Sequence, residues 1–344
     1  MKQQKVSVWR ICWELLVPIL VYTGVAIIVS LIGGVIIGAN AFLDLQGVDL
    51  LDEYAVTEKI LEITLPYAVL LQTIAAIITV PLLYLMYKKD WKRRIYRVDH
   101  KSVANYKIIY AFIAGAAACL AANLILSFPW IYRYLGQGYD AVSESLFSGS
   151  IIVQWIGIGI IIPICEEFVF RGLIYMRLRD RMSAKPAIVI SAVIFGVYHG
   201  NLLQGIYAFL LGILMAYMME KYKSIIAPCL FHVAANLLSM GLNSLSLNNS
   251  WIILALIIVS LCVLAVAVYH IYKNVDPKVE IIKLGAEDFP DEVNSHSGSG
   301  PEGGNSRYSV DDYYPKARNV DDYYPKAHDV DDYYPGPYSD EEER

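Results

Sequence analysis

A membrane-crossing helix takes about 20 apolar residues, and this chain supplies eight stretches near or above that length. They run over 11–38, 61–87, 107–128, 149–175, 186–203, 204–220, 224–242 and 251–272. So many long apolar runs leave little room for anything but an all-α, polytopic membrane bundle of about eight transmembrane helices. Charge agrees: 18% of the residues are charged, below the roughly 25% of ordinary soluble domains. The first run is far longer than the apolar core of a signal peptide, so it reads as an uncleaved anchor.

Lysines and arginines orient such a bundle, because they collect on the cytoplasmic side. The loop over 39–60 is acidic, with Asp44, Asp49, Asp52, Glu53 and Glu58 against Lys59. The next loop is basic, carrying Lys88, Lys89, Lys92, Arg93, Arg94, Arg97, Lys101 and Lys107. Arg177, Arg179, Arg181 and Lys185 follow the fourth run, and Lys221 and Lys223 follow the sixth. On an eight-span path every basic loop falls on one side. The expectation is a multi-pass plasma-membrane protein with both termini cytoplasmic.

Composition divides the chain. Residues 1–275 carry a net +6 and residues 276–344 a net −11. Residues 1–148 hold three spans, 149–275 hold five spans with the chemistry, 276–306 form a polar linker, and 307–344 form an acidic tail. In the tail a decapeptide starting at Val310, Val320 and Val330 carries Asp-Asp-Tyr-Tyr-Pro three times. An acidic, proline-punctuated repeat cannot bury a core, so disorder is expected. Its repetition suits a multivalent ligand for a cytoplasmic partner. No basic stripe points to nucleic acid. The five cysteines (Cys12, Cys119, Cys165, Cys229, Cys262) sit in apolar runs and read as small buried hydrophobes rather than disulfides or a zinc ribbon.

Ionisable groups inside apolar spans are costly and suggest function. Glu166, Glu167 and Arg171 lie in the fourth span, Phe195 and His199 in the fifth, and His232 and Asn236 in the seventh. Spans one to three have no comparable cluster. Glu167 and Arg171 are spaced i,i+4 with the acid first, the order that favours an intrahelical pair. Glu166 then points to another face, since adjacent helical positions diverge by about 100°. Counted from the nearest cytoplasmic charge at 1.5 Å per residue, Glu166, His199 and His232 lie at depths of about 17, 21 and 14 Å. They can meet near the bilayer midplane.

A carboxylate beside an imidazole can take a proton from water and so direct a nucleophile at a carbonyl. A second imidazole and an amide can donate to the oxyanion that forms. The same Glu166, His199 and His232 also make a three-ligand set for Zn²⁺ with an open position. Both alternatives describe amide hydrolysis within the bilayer, on a peptide or membrane-anchored protein.

The pattern Glu166-Glu167-x-x-x-Arg171, Phe195-x-x-x-His199 and His232-x-x-x-Asn236 resembles the CPBP family. That family takes in type II CAAX prenyl endopeptidases and the bacteriocin-processing or immunity proteins called Abi. The resemblance covers about residues 149–242 and implies an endopeptidase in which Glu166 and His199 activate water. His232 and Asn236 would then hold the oxyanion. Glu167, Arg171 and Phe195 would support them, and the family often carries a metalloprotease label. A non-catalytic immunity or scaffold protein of the same fold is the second reading, and a proton-coupled transporter the third. No inverted repeat relates the halves as transporters require.

Overall fold

The computed structural model describes residues 7–41, 52–94, 96–99, 105–243 and 249–281. The linker beyond residue 281, the Asp-Asp-Tyr-Tyr-Pro repeats and most of the acidic first loop lie outside the described residues, whereas the start of the expected linker, Lys278–Ile281, is a strand. Two long helices open the chain, α1 (Val8–Ala41) and α2 (Glu53–Lys92), the second passing through a tight turn at Leu65–Tyr67 beside Pro66. Then follow α3 (Ile109–Leu126), two short helices α4 (Pro129–Leu135) and α5 (Tyr139–Phe147), and the long α6 (Ile151–Arg179). The chain continues through α7 (Ala184–Tyr198), α8 (Leu202–Tyr222), α9 (Ile226–Asn243) and α10 (Ser250–Asn274).

All eight apolar runs are helical, but they are not equal. Among the described residues six helices are long and apolar enough to cross a membrane, whereas α7 and α9 are shorter. With 15 residues, α7 reaches about 22 Å at 1.5 Å per residue, short of a hydrocarbon core of about 30 Å. The fifth run therefore ends earlier than its hydropathy suggests. Gly200 takes φ +73°, and Asn201 caps α8 by accepting from the Gln204 amide at 2.9 Å. A left-handed glycine followed by an N-cap is a helix stop and restart. A second departure is a two-stranded antiparallel ribbon, β1 (Tyr96–Asp99) with β2 (Lys278–Ile281), which pairs Tyr96 with Ile281 and Asp99 with Lys278. It ties the basic loop after α2 to the segment beyond α10.

Packing follows membrane rules. The outward faces are apolar, with Ile28, Leu31 and Val35 on α1 and Ile258, Val259 and Val266 on α10 exposed. The interior of α3 is a strip of small residues, Ala111, Ala114, Gly115, Ala118 and Ala121, all buried. Small residues let membrane helices approach closely, and α3 packs chiefly on α9 and α10. Cys119 and Cys165 are buried as expected, but Cys12 and Cys262 lie exposed on α1 and α10, and all five cysteines are free.

One end of the bundle is fastened by ion pairs. Arg94 makes two hydrogen bonds to Asp180 at 2.9 and 2.8 Å. Arg177 pairs with Asp90 at 2.7 Å, and Arg181 pairs with Glu14. The fully buried Arg179 and the neighbouring Lys223 share Glu220 at 3.1 and 2.7 Å. Arginines that read only as orientation signals in the sequence thus also join α1, α2, α6 and α8.

A side chain added at Gly115 would run into the backbone carbonyl of Phe231. Gly115→Leu should therefore cost stability by overpacking, typically about 1–3 kcal/mol. Gly24→Ala, where nothing lies within 4 Å, should be neutral. Thermal unfolding of the purified protein in detergent, followed for both variants beside wild type, checks the contrast.

Candidate active site

The fourth span is not a uniform α-helix. It widens to π-helix at Gly157–Ile161, returns to α-helix over Ile162–Glu167, and widens again over Phe168–Tyr175. Pro163 lacks the amide hydrogen that would bond Gly159, so the regular ladder cannot continue through it. The Ile162 amide turns instead to the Gly157 carbonyl, which leaves the Ile158 carbonyl without its usual donor. Asn236 of α9 fills that vacancy, its Nδ2 donating to Ile158 O at 2.8 Å. Such widenings recur at functional sites, and this one docks the motif asparagine onto the motif helix.

Glu167 and Arg171 form the expected pair, with Nη1 donating to Oε1 at 2.8 Å and both side chains wholly buried. Arg171 Nη2 also donates to the Gly212 carbonyl of α8 at 3.3 Å. Its guanidinium lies 4.3 Å from the centre of the Phe195 ring, a cation–π contact of the kind worth about 2 kcal/mol or more when desolvated. Glu167 Oε2 and Arg171 Nε have no hydrogen-bond partner among the described residues.

Glu167 Oε1, the oxygen that holds Arg171, also accepts from His232 Nδ1 at 2.9 Å. A carboxylate only accepts here, so Nδ1 carries the hydrogen and Nε2 is the nitrogen left for chemistry. That Nε2 stands 3.8 Å from Glu166 Oε2. Adjacent glutamates thus converge on one residue after all. The imidazole presents its two nitrogens on different edges and spans the angle between two neighbouring positions of α6.

His199 caps its own helix, with Nδ1–H donating to the Phe195 carbonyl at 2.8 Å. Its Nε2 is likewise the free nitrogen. The ring of Phe195 meets both histidines edge-on, at 4.7 Å from His199 and 5.8 Å from His232. His199 lies within electrostatic range of Glu166, Arg171 and His232. It also lines a cavity of about 440 Å³.

The first two helices contribute more than the sequence suggested. Tyr22 of α1 is fully buried, accepts from Gln72 Nε2 of α2 at 2.8 Å, and stacks on Tyr198 at 6.1 Å. Both tyrosines lie within electrostatic range of Glu166. Gln72, an amide inside an apolar run, was the available signal; a tyrosine in a membrane span carries none. The backbone carbonyl of Gly212 that serves as acceptor for Arg171 leaves no trace in a sequence.

A zinc site would require Glu166, His199 and His232 to converge through free donor atoms. Among the described residues no group of three or more His, Cys, Asp or Glu side chains is placed to hold a metal ion. Nδ1 of each histidine is engaged, so Nε2 is the donor atom each would offer to an ion.

No curated protein and no solved structure matches the chain. A family comparison does, and it covers all seven motif residues. Residues 148–238 match the Rce1-like family, described as type II CAAX prenyl endopeptidase Rce1-like, so over this segment the chain is similar to an intramembrane peptidase, in agreement with its CPBP motifs.

Proposed function

We propose that the protein is an intramembrane endopeptidase that hydrolyses a peptide bond with water activated by Glu166. The observation that carries this reading is the 3.8 Å separation of Glu166 Oε2 and His232 Nε2. It is too long for a direct hydrogen bond, and a water molecule seated beside the pair can bond both. Glu166 accepts the water's proton as the oxygen attacks the carbonyl carbon. His199, with its free Nε2, assists that proton transfer and can return a proton to the departing amine. His232 is held by Glu167, so Nε2 when protonated donates to the developing oxyanion. Asn236 keeps one amide hydrogen on Ile158, and the other is available for the same purpose. Glu167 and Arg171 position His232 rather than touch substrate. Each step uses a group of this chain, and none is routed through a metal.

Glu166→Gln keeps the shape and removes the base, so peptide turnover should fall by roughly 10²–10⁴-fold while thermal stability stays near wild type. Near-normal turnover would rule out the role given to Glu166. Metal content measured on the same active preparation should show no stoichiometric ion. A one-to-one metal whose removal abolishes activity would replace this mechanism with a metal-centred one.

Glu167→Gln leaves Arg171 buried without its counter-charge, and breaking such a pair costs about 3–5 kcal/mol. The double variant Glu167→Gln/Arg171→Met should recover part of that loss, because no isolated charge remains. Unfolding midpoints of the two variants test this, and equal destabilisation would show that the ion pair is not the source. The tail is proposed to recruit a cytoplasmic partner through its repeats. A chain ending at Lys283 should accordingly cleave a short peptide at the full-length rate, and a stable but inactive truncation would place the tail in catalysis.

A further inference from the structure

The cavity lined by His199 adjoins the machinery just described and lies at the opposite end of the bundle from the ion pairs. Connectivity places it there. The basic end holds the start of α3 and the ends of α8 and α10, where Tyr222 donates to the Lys107 carbonyl and Lys107 to Asn274. The far end therefore holds α4, α5, the start of α6 and the turn between α7 and α8. The cavity is built from two of these pieces: Tyr134, Gln137 and Val142 on α4, α5 and their connection, and His199, Asn201 and Leu202 on the turn.

Three features suit a peptide. The volume of about 440 Å³ falls within the range of roughly 300–1,000 Å³ usual for ligand sites. Apart from His199, the lining carries no ionisable group but the tyrosine phenol, and mixes amide and hydroxyl groups with aliphatic ones. Such a surface can meet a peptide backbone and neutral side chains but offers no counter-charge to a Lys or Glu, whose desolvation would be costly. Third, α7 stops at Tyr198, so the turn bearing His199 is reached from this end without crossing the bundle. At the opposite end the helices are joined by Arg177 with Asp90, Arg179 with Glu220 and Arg94 with Asp180.

The wall formed by α4 and α5 is itself held in place. The Tyr132 hydroxyl donates to the Asp140 carboxylate, and that hydrogen bond pushes the phenol up to about 12. The clasp therefore keeps its proton throughout the physiological range. Gly138 at φ +77° supplies the left-handed bend between the two helices, a conformation glycine adopts without strain.

We propose that this cavity is the port through which a peptide substrate reaches His199, and that it admits an uncharged stretch of chain from the end of the bundle opposite the basic loops. By the lysine and arginine bias that end is the non-cytoplasmic one, so the substrate is a peptide presented on the outer side. The inference rests on the peptidase reading for its chemistry, but peptide binding in the cavity can be measured without turnover.

Val142→Cys on the cavity wall and Ala141→Cys, exposed on α5 outside the lining, are treated in right-side-out vesicles with a bulky membrane-impermeant maleimide. Wild type, with its five native cysteines, gives the background. Val142→Cys should react from outside, and its modified form should cleave short uncharged peptides on the order of tenfold more slowly than its unmodified form. Modified Ala141→Cys should retain its rate. In a Glu166→Gln background the same peptides should slow labelling at Val142→Cys but not at Ala141→Cys, and peptides carrying Lys or Glu at every second position should not protect. Reaction at Val142→Cys only from the inner side, full activity after its modification, or absence of protection would each overturn the port. Protection without any cleavage by a Glu166-bearing protein would instead overturn the peptidase reading and leave the port standing as a peptide site.

Discussion

Glu167 and Arg171 are wholly withdrawn from solvent, and much of the site follows from keeping those two charges compatible with a low-dielectric interior. A lone buried ion would cost several kcal/mol even after relaxation, so each end of the pair gathers further partners. Arg171 takes the Gly212 carbonyl and the face of Phe195, which brings α8 and α7 against α6. Glu167 takes His232, which brings α9. Four helices are thus held to one ion pair, and the geometry of the candidate site is largely a by-product of neutralising it. Glu166, one residue away, is left without such a partner and remains 13% exposed, which suits a group that must meet water.

A related economy appears in the backbone. Pro163 disrupts the ladder of α6, and Asn236 occupies the carbonyl that disruption frees. A helix irregularity that would destabilise an isolated helix here becomes the attachment point for a neighbouring one. The π-helical stretches on either side of Ile162–Glu167 are therefore part of how the motif residues are aimed, and a regular helix would turn Glu166 and Glu167 to different positions relative to α9.

The membrane class and the eight helical runs were legible in the sequence because hydropathy over about 20 residues is a strong, local signal. The Glu167–Arg171 pair was legible because i,i+4 spacing fixes proximity within one helix. Across helices the depth count let Glu166 and His232 meet, and they stand 3.8 Å apart, but the finer orientation did not follow. The divergence of adjacent positions implied that Glu166 and Glu167 serve separate sites, yet a two-edged ring on α9 reaches both. The shortness of α7 was hidden because the apolar character of the run continues beyond Gly200, and only the backbone reversal there ends the helix. The ribbon joining Tyr96–Asp99 to Lys278–Ile281 escaped because each strand has four residues, too few for alternation to stand out.

The ion pairs at one end of the bundle also distribute stiffness unevenly along the membrane normal. Arg94, Arg177, Arg179 and Arg181 bind α6 and the turn after it to three other helices. Most of these groups are partly or wholly shielded, so salt screens them less than surface pairs. The other end has short helices and a glycine-bearing turn, with the Lys59–Glu62 ion pair lying within α2 and the Tyr132–Asp140 hydrogen bond joining α4 to α5. The constraint that charge pairing places on helix spacing is therefore concentrated at one level of the bundle, so substitutions there should disturb the register of α1, α2, α6 and α8 together, whereas substitutions in α4 or α5 should act locally.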